Sequence, residues 1–425
     1  MTGAAPTPGT PATLQRRLGL AGAAVVGIGS MVGAGVFTSL GLAASTAGPL
    51  VVLALVLAGA TAWVNATAMA QLSAVQPTSG GAYVFGRRRL GDWAGFLAGW
   101  GFVTGKSASV AAMAYTVALY VAPAGDVTSR WIAIAAVVAV TAVNLAGVDR
   151  TVQVTVAVLV PVLLVLAVVI AAGFAASPAG PSGPATAADG VTPLGVLQAA
   201  GLLFFAFAGY ARIATMGEEV RAPRRTIPRA VFGALAFTLV LYLLLALSLL
   251  RVLGTDGLGR SSTAVRDAVE VTFGPDWVWL AAASAALACL GSMLNLVAGI
   301  SRTSLAMARQ GDLPRPLTRI SARTSVPWVA ELAAAAVVVL VLLTTDVLTV
   351  VGFSSFGVLV YYAVANLSAA TLTERVVPGP RWLNLAGAVA CLLLAFTLPW
   401  QSVLVMLAVF AVGLAGRALV LVRRR

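Results

Sequence analysis

Histidine is absent from this 425-residue chain, cysteine occurs only twice, and only 10% of the residues are charged. Without histidine or a cysteine pair there is no ligand set for a structural zinc ion, so no metal is expected. Two cysteines also rule out a disulfide framework. There is no nucleophile elbow and no carboxylate pair at depth to act as acid and base, so an enzyme is not expected. No G-x-x-x-x-G-K-[ST] loop occurs, which disfavours ATP-driven pumping, and no cofactor is expected. Charge is the most informative shortage. A soluble domain carries about 25% charged residues. At about 150 residues per domain this length would suggest two or three soluble domains, and so few charges could not cover them. The 43 glycines and 20 prolines are scattered, which excludes a collagen-like chain.

What is present is apolar: 60% of residues are hydrophobic and the mean hydropathy is +0.98. A bilayer core about 30 Å thick needs about 20 apolar helical residues. Runs of that kind lie near 18–44, 49–75, 93–122, 130–148, 152–174, 194–217, 229–253, 277–307, 327–345, 347–372, 382–399 and 401–420. The chain is therefore expected to be an all-α membrane protein with 12 transmembrane helices. The first run is too long for a signal peptide. An even number of spans puts both termini on one side. That side receives 21 of the 27 Lys and Arg residues, among them Arg87, Arg88, Arg89, Arg221, Arg224, Arg225, Arg302 and the terminal Arg423, Arg424 and Arg425. The other side holds Arg130, Arg251, Arg260 and Arg266, and Lys106 and Arg212 fall within spans. The positive-inside rule then places both termini in the cytoplasm. The net charge of +13 is thereby explained by topology, with no nucleic acid as partner. Cys289 and Cys391 lie inside spans and read as small buried apolar residues. The 175–193 segment, rich in Pro, Ala and Gly, reads as a flexible external loop.

Two spans carry interruptions. Span 1 contains GIGSMVGAGVF (27–37), with glycines at 27, 29, 33 and 35, and glycine is poor in helix interiors. Span 6 has Ala208 and Gly209 at mid-depth after Phe204, Phe205 and Phe207. The two spans are five apart, as inverted repeats of spans 1–5 and 6–10 would place them. A pair of interrupted spans at matching positions points to the substrate site of a secondary transporter. Backbone freed there can hold a carboxylate on N–H groups and an ammonium on carbonyls, which suits an α-amino acid. Close helix packing through Gly29 and Gly33 is the competing reading of span 1.

Four segments carry a family resemblance: GSMVGAGVF in span 1, PTSGGAYVFGRRRLGDWAGFLAGW (77–100), FFAFAGYARIATMGEEVRAPRRTIPRA (204–230) and SRTSLAMARQGDLPRPLTRISARTSVP (301–327). In order and spacing the chain resembles the amino acid–polyamine–organocation (APC) superfamily over nearly its whole length. The resemblance implies a LeuT-type 5+5 inverted repeat plus two C-terminal helices, working by alternating access. The chain would divide into a tail (1–17), repeat 1 (18–174), an external loop (175–193), repeat 2 (194–373), and two last spans with a basic tail (374–425). The resemblance also implies a carboxylate site at Ser30, Gly33, Ala34 and Gly35. The amino group would meet carbonyls at Met31, Phe205, Ala206 and Ala208, with Phe205 closing over the substrate and Phe207 and Gly209 beside it. Ordinary packing is the other reading of the phenylalanines. Two departures stand out. Members carrying cationic substrates have an acid where this chain has Ala211, and the span 5 lysine of some sodium-independent members aligns near Pro161.

Lys106 and Arg212 read as the two charges at depth, and ionisable groups there are functional by default. Lys106 is expected to take a coupling proton or stand in for a sodium ion; the alternative is a structural lysine bonded to carbonyls of a broken helix. Arg212 is expected to pair with Glu218, Glu219 or a loop carboxylate as an inner gate, the alternatives being a direct substrate contact, which would favour an anionic side chain, and helix-end packing; Glu218 and Glu219 are expected to pair with Arg221, Arg224 or Arg225. The expected function is secondary active transport of amino acids across the cytoplasmic membrane, coupled to protons or by exchange. A polyamine permease, or a non-transporting sensor on the same fold, is the alternative. The lining favours neutral, mid-sized amino acids, and nothing in the sequence sets an oligomeric state.

Overall fold

The computed structural model describes residues 18–77, 80–122, 127–147, 151–177, 192–217 and 219–422. In chain order α1 (Leu20–Met31), α2 (Ala34–Phe37) and α3 (Ser39–Ala47) form the first apolar run, followed by α4 (Val51–Val75) and the short α5 (Gly81–Leu90). Then come α6 (Asp92–Val121), α7 (Val127–Leu145) and α8 (Thr151–Ala175). α9 (Pro193–Phe207) passes through a 3-10 turn (Ala208–Tyr210) into α10 (Ala211–Thr215). The chain continues through α11 (Pro223–Arg260), α12 (Ala264–Phe273), α13 (Val278–Arg309), α14 (Trp328–Thr344), α15 (Val347–Ala370), α16 (Arg381–Phe396) and α17 (Trp400–Val422). Among the described residues, eight helical stretches are long and apolar enough to cross a bilayer, and α1, α14 and α16 are shorter apolar helices. A helix satisfies its own backbone, which hydrocarbon demands. The chain is a multi-pass membrane protein.

Most of these helices are apolar all round, so packing selects the inward face. On α8, Thr155, Leu159, Val162, Leu166 and Val169 are buried at helical spacing while Val160, Leu164 and Val168 are exposed. The 178–191 stretch, and with it most of the expected external loop, lies outside the described residues. α11 extends past the end expected near residue 253 because it bends at Gly254 (φ 70°) and adds a further turn.

α6 lies along α13 and α15, α4 against α9 and α11, α1 against α11, α8 against α13, and α7 against α14. On the face carrying the basic loops, the start of span 1 is stitched to the loop after span 6. Leu18 N donates to Glu219 O at 3.0 Å, and Arg221 N donates to Leu18 O at 2.8 Å.

Candidate substrate site at two broken helices

Span 1 breaks where the glycines predict, and then breaks again. α1 ends at Met31, Val32 is extended (φ −73°, ψ 101°), and Gly33 is extended as well (φ −168°, ψ −143°). Helix resumes for only four residues before Thr38 (φ −122°, ψ −38°) interrupts it a second time. The single interruption expected from the sequence is therefore two. Thr38 is anchored there by a hydroxyl–hydroxyl bond of 2.9 Å to Thr116 of α6. Span 6 behaves differently: the chain tightens into the 3-10 turn at Ala208–Tyr210 and does not unwind.

The two breaks cross backbone to backbone. A methyl group on Gly209 would run into the Ser30 carbonyl, and one on Gly35 would run into the Ala206 backbone. Only glycine lets the strands of backbone approach this closely. Ser30, Met31, Gly33, Ala34, Gly35, Phe205, Ala206, Phe207, Ala208 and Gly209 are all buried at or beside this crossing.

The freed carbonyls are not empty-handed. The Tyr242 hydroxyl of α11 lies 2.7 Å from Met31 O and 3.2 Å from Ala206 O, one proton facing two acceptors. Lys106 Nζ donates to Ala208 O at 3.1 Å, and Tyr362 Oη of α15 reaches the same oxygen at 3.3 Å. Phe205 O accepts the Ala208 N–H. Ser292 Oγ of α13 lies 2.7 Å from Gly29 O and 2.9 Å from Val32 O. The Ser30 hydroxyl turns back to Val26 O at 2.7 Å. Every carbonyl expected to hold a substrate ammonium thus lies within reach of a protein donor, with the single Tyr242 proton shared between Met31 O and Ala206 O. Sequence reasoning missed Tyr242, Tyr362 and Ser292. Aromatic packing closes the surroundings: Tyr210 stacks on Tyr362, Phe204 meets Tyr362 edge-on and Phe207 tilts against Tyr242.

Several charge assignments change. Glu219 pairs with Arg302 of α13 at 3.0 Å, not with its sequence neighbours, because α13 runs beside the loop that follows α10. Arg224 pairs with Glu374. Glu218 lies outside the described residues. Arg212 is buried, its Nη1 is 3.4 Å from Thr215 Oγ1, and its Nε has no partner among the described residues. The ion pairs among the described residues do not include it, so the expected pairing with Glu219 is not made. Pro161 is exposed on α8; the α8 residues that face the span 1 break are Thr155, Val158, Leu159 and Val162. A third charge lies at depth beside Lys106 and Arg212. Glu331, one turn into α14, is 2% exposed, with Ser301 Oγ 3.3 Å from Oε1 and no partner on Oε2.

Two cavities connect these features. One of about 420 Å³ is walled by α7, α8, α10, α13 and α14 and includes Arg212, Arg302, Asn295 and Glu331. The other, about 10 Å³, abuts Gly29 and Val32, and both are lined by Thr155 and Gly291.

Comparison with known proteins bears on this geometry. The family model described as amino acid permease matches residues 18–416. The chain belongs to the amino acid permease family. An uncharacterized transporter of Mycobacterium tuberculosis is 49% identical over 407 residues, covering 96% of this permease and 91% of the relative. The chloroplastic cationic amino acid transporter 6 of Arabidopsis thaliana is 29% identical, covering 89% and 70%. The branched-chain amino acid permease BcaP of Bacillus subtilis is 25% identical, covering 75% and 72%. The APC resemblance of the four sequence segments is thereby shown, and the permease is a transporter, not an enzyme.

The permease also has an ionic cluster on its basic face, centred on one carboxylate. Asp312, in the loop after α13, accepts from Tyr83 Oη, Arg87 Nη1 and Arg417 Nε, each at 2.8 Å. The Arg417 guanidinium lies 4.3 Å from the centre of the Trp93 ring. Burial, and after it the Asp312 carboxylate, push the Tyr83 phenol above its usual range, so it serves as a neutral donor.

Proposed function

We propose that this permease is a secondary carrier of α-amino acids, working by alternating access through the crossing of the broken span 1 with the 3-10 turn of span 6. The observation that carries the proposal is that crossing. Backbone of spans 1 and 6 meets at Gly209–Ser30 and Gly35–Ala206, with its carbonyls in reach of polar side chains from four other spans. A substrate ammonium would compete with Tyr242 and Lys106 for those carbonyls.

We infer the twelve-span, 5+5 arrangement from the sequence, and the packing supports it. If α1–α3 is span 1, α4 span 2, α6 span 3 and so on to α15 as span 10, exchanging the two sets of five carries several contacting pairs onto other contacting pairs. Span 2 on span 6 maps to span 7 on span 1, and span 3 on span 10 maps to span 8 on span 5; all four pairs are in contact. Spans 2 and 7, 3 and 8, and 4 and 9 map onto themselves and also touch. The excess of arginine on one face supports cytoplasmic termini in a bacterial plasma membrane.

Relatives are named for branched-chain and for cationic amino acids. Ala211, standing where carriers of cationic substrates have an acid, supports the neutral class. Lys106 is the proposed coupling group: its proton sets how firmly the span 6 break is held. The proposal is tested by counterflow in liposomes with each of the twenty proteinogenic L-amino acids. Saturable, stereoselective exchange of neutral aliphatic ones is expected. Binding without exchange would make the protein a sensor and overturn the carrier reading.

A further inference from the structure

The 420 Å³ cavity lies beside the helix crossing and has the size of a small-molecule site, which spans about 300–1,000 Å³. Its wall holds three buried polar atoms with no partner among the described residues: Arg212 Nε, Asn295 Oδ1 and Glu331 Oε2. Arg212, Asn295 and Glu331 are 7%, 3% and 2% exposed. Buried polar groups are normally satisfied. Here one donor and two acceptors share a cavity, and the two charges of opposite sign are not an ion pair among the described residues.

Nearby groups are otherwise committed. Arg302 is held by Glu219 at 3.0 Å. Ser301 Oγ is shared between Ala298 O at 3.2 Å and Glu331 Oε1 at 3.3 Å. Asn295 Nδ2 donates within its own helix to Gly291 O at 3.3 Å.

We propose that this cavity is a second binding site for a zwitterionic α-amino acid. The carboxylate sits on Arg212, and the ammonium donates to Glu331 and Asn295. Such a ligand carries acceptors and three N–H donors at opposite ends of one small molecule, which is the complement of the three unsatisfied atoms. A simple anion would leave the two acceptors unmet, and a simple amine would leave Arg212 unmet. The position fits a waiting site, because Thr155 and Gly291 belong both to this cavity and to the small pocket against the span 1 break. The inference rests on the amino acid carrier reading above.

Equilibrium dialysis of the purified permease against each of the twenty tritiated L-amino acids tests it. Two molecules bound per chain at saturation are expected for the transported amino acid, falling to one in Arg212→Gln and in Glu331→Gln. One molecule in the wild type, unchanged in both variants and with counterflow intact, overturns the second site and leaves the carrier standing. No binding and no counterflow with any amino acid overturns both. Should the charge variants fail to fold, Ala298→Cys places a thiol in the cavity wall, and Cys289 and Cys391 are buried. Labelling by a trimethylammonium methanethiosulfonate reagent is expected to slow at least tenfold with the bound amino acid. Unslowed labelling overturns the proposal.

Discussion

Two carboxylates on the basic half of this permease differ in one respect. Asp312 accepts from three donors at 2.8 Å, two of them arginines, whereas Glu331 has a single contact at 3.3 Å and one oxygen with none. Both are almost fully buried. The first joins α5, the loop after α13, and α17 into one body, so its charges hold the fold. The second faces a cavity, and its unmet capacity is available to something that enters. Saturation by protein partners separates a structural charge from one kept for a ligand.

The largest test of that contrast is Asp312→Ala. It strands Arg417, whose side chain is 3% exposed, and removing one partner of a buried pair costs about 3–5 kcal/mol. A large fall in melting temperature is expected, with no change in the number of amino acids bound per molecule that remains folded. Glu331→Gln should behave in the opposite way, because it neutralises a carboxylate that nothing pairs. Its melting temperature is expected to stay within the error of wild type or to rise. A drop as large as that of Asp312→Ala would erase the distinction.

The helix crossing gives a second, smaller contrast between glycines. Gly209→Ala forces a methyl against the Ser30 carbonyl, and such overpacking costs about 1–3 kcal/mol. Gly233→Ala on α11 meets nothing within 4 Å and should be neutral or stabilising by about 0.5–1 kcal/mol. Counterflow rates are expected to fall at least tenfold in the first variant and to hold in the second. Equal rates would mean that the crossing tolerates a wider approach than the one described.

How much of this was legible in the sequence follows from the range over which each feature acts. The break in span 1 was legible because Gly33 disturbs the helix there, whereas Gly27 and Gly29 lie within α1 and Gly35 within α2, where they admit close neighbours. The partners of the freed carbonyls were not legible: Tyr242, Ser292 and Tyr362 come from spans 7, 8 and 10, and a lone hydroxyl in an apolar run has no periodic signature. Glu219 was assigned to neighbours in the chain, but its partner Arg302 is 83 residues away. Glu331 was hidden inside an apolar run. An acid one turn after Pro327 is the signal that could have found it, since acids favour a helix's first turn. Pro161 itself is exposed, and its neighbours Leu159 and Val162 face the break.

Tyr242→Phe brings the smallest expected effect and the finest test of the crossing. The variant keeps the ring packed against Phe207 and removes only the proton that faces Met31 O and Ala206 O. Leaving a buried acceptor unmet costs about 1–3 kcal/mol, so the substrate-free protein should melt lower. If the substrate ammonium takes over those carbonyls, a bound amino acid supplies what the hydroxyl no longer does. The rise in melting temperature on adding the transported amino acid should therefore exceed that of wild type, while the rise at the second site should be unaffected. An equal or smaller rise would show that Tyr242 and the substrate do not share acceptors, and the ammonium would then have to be sought on Ala208 O, beside Lys106.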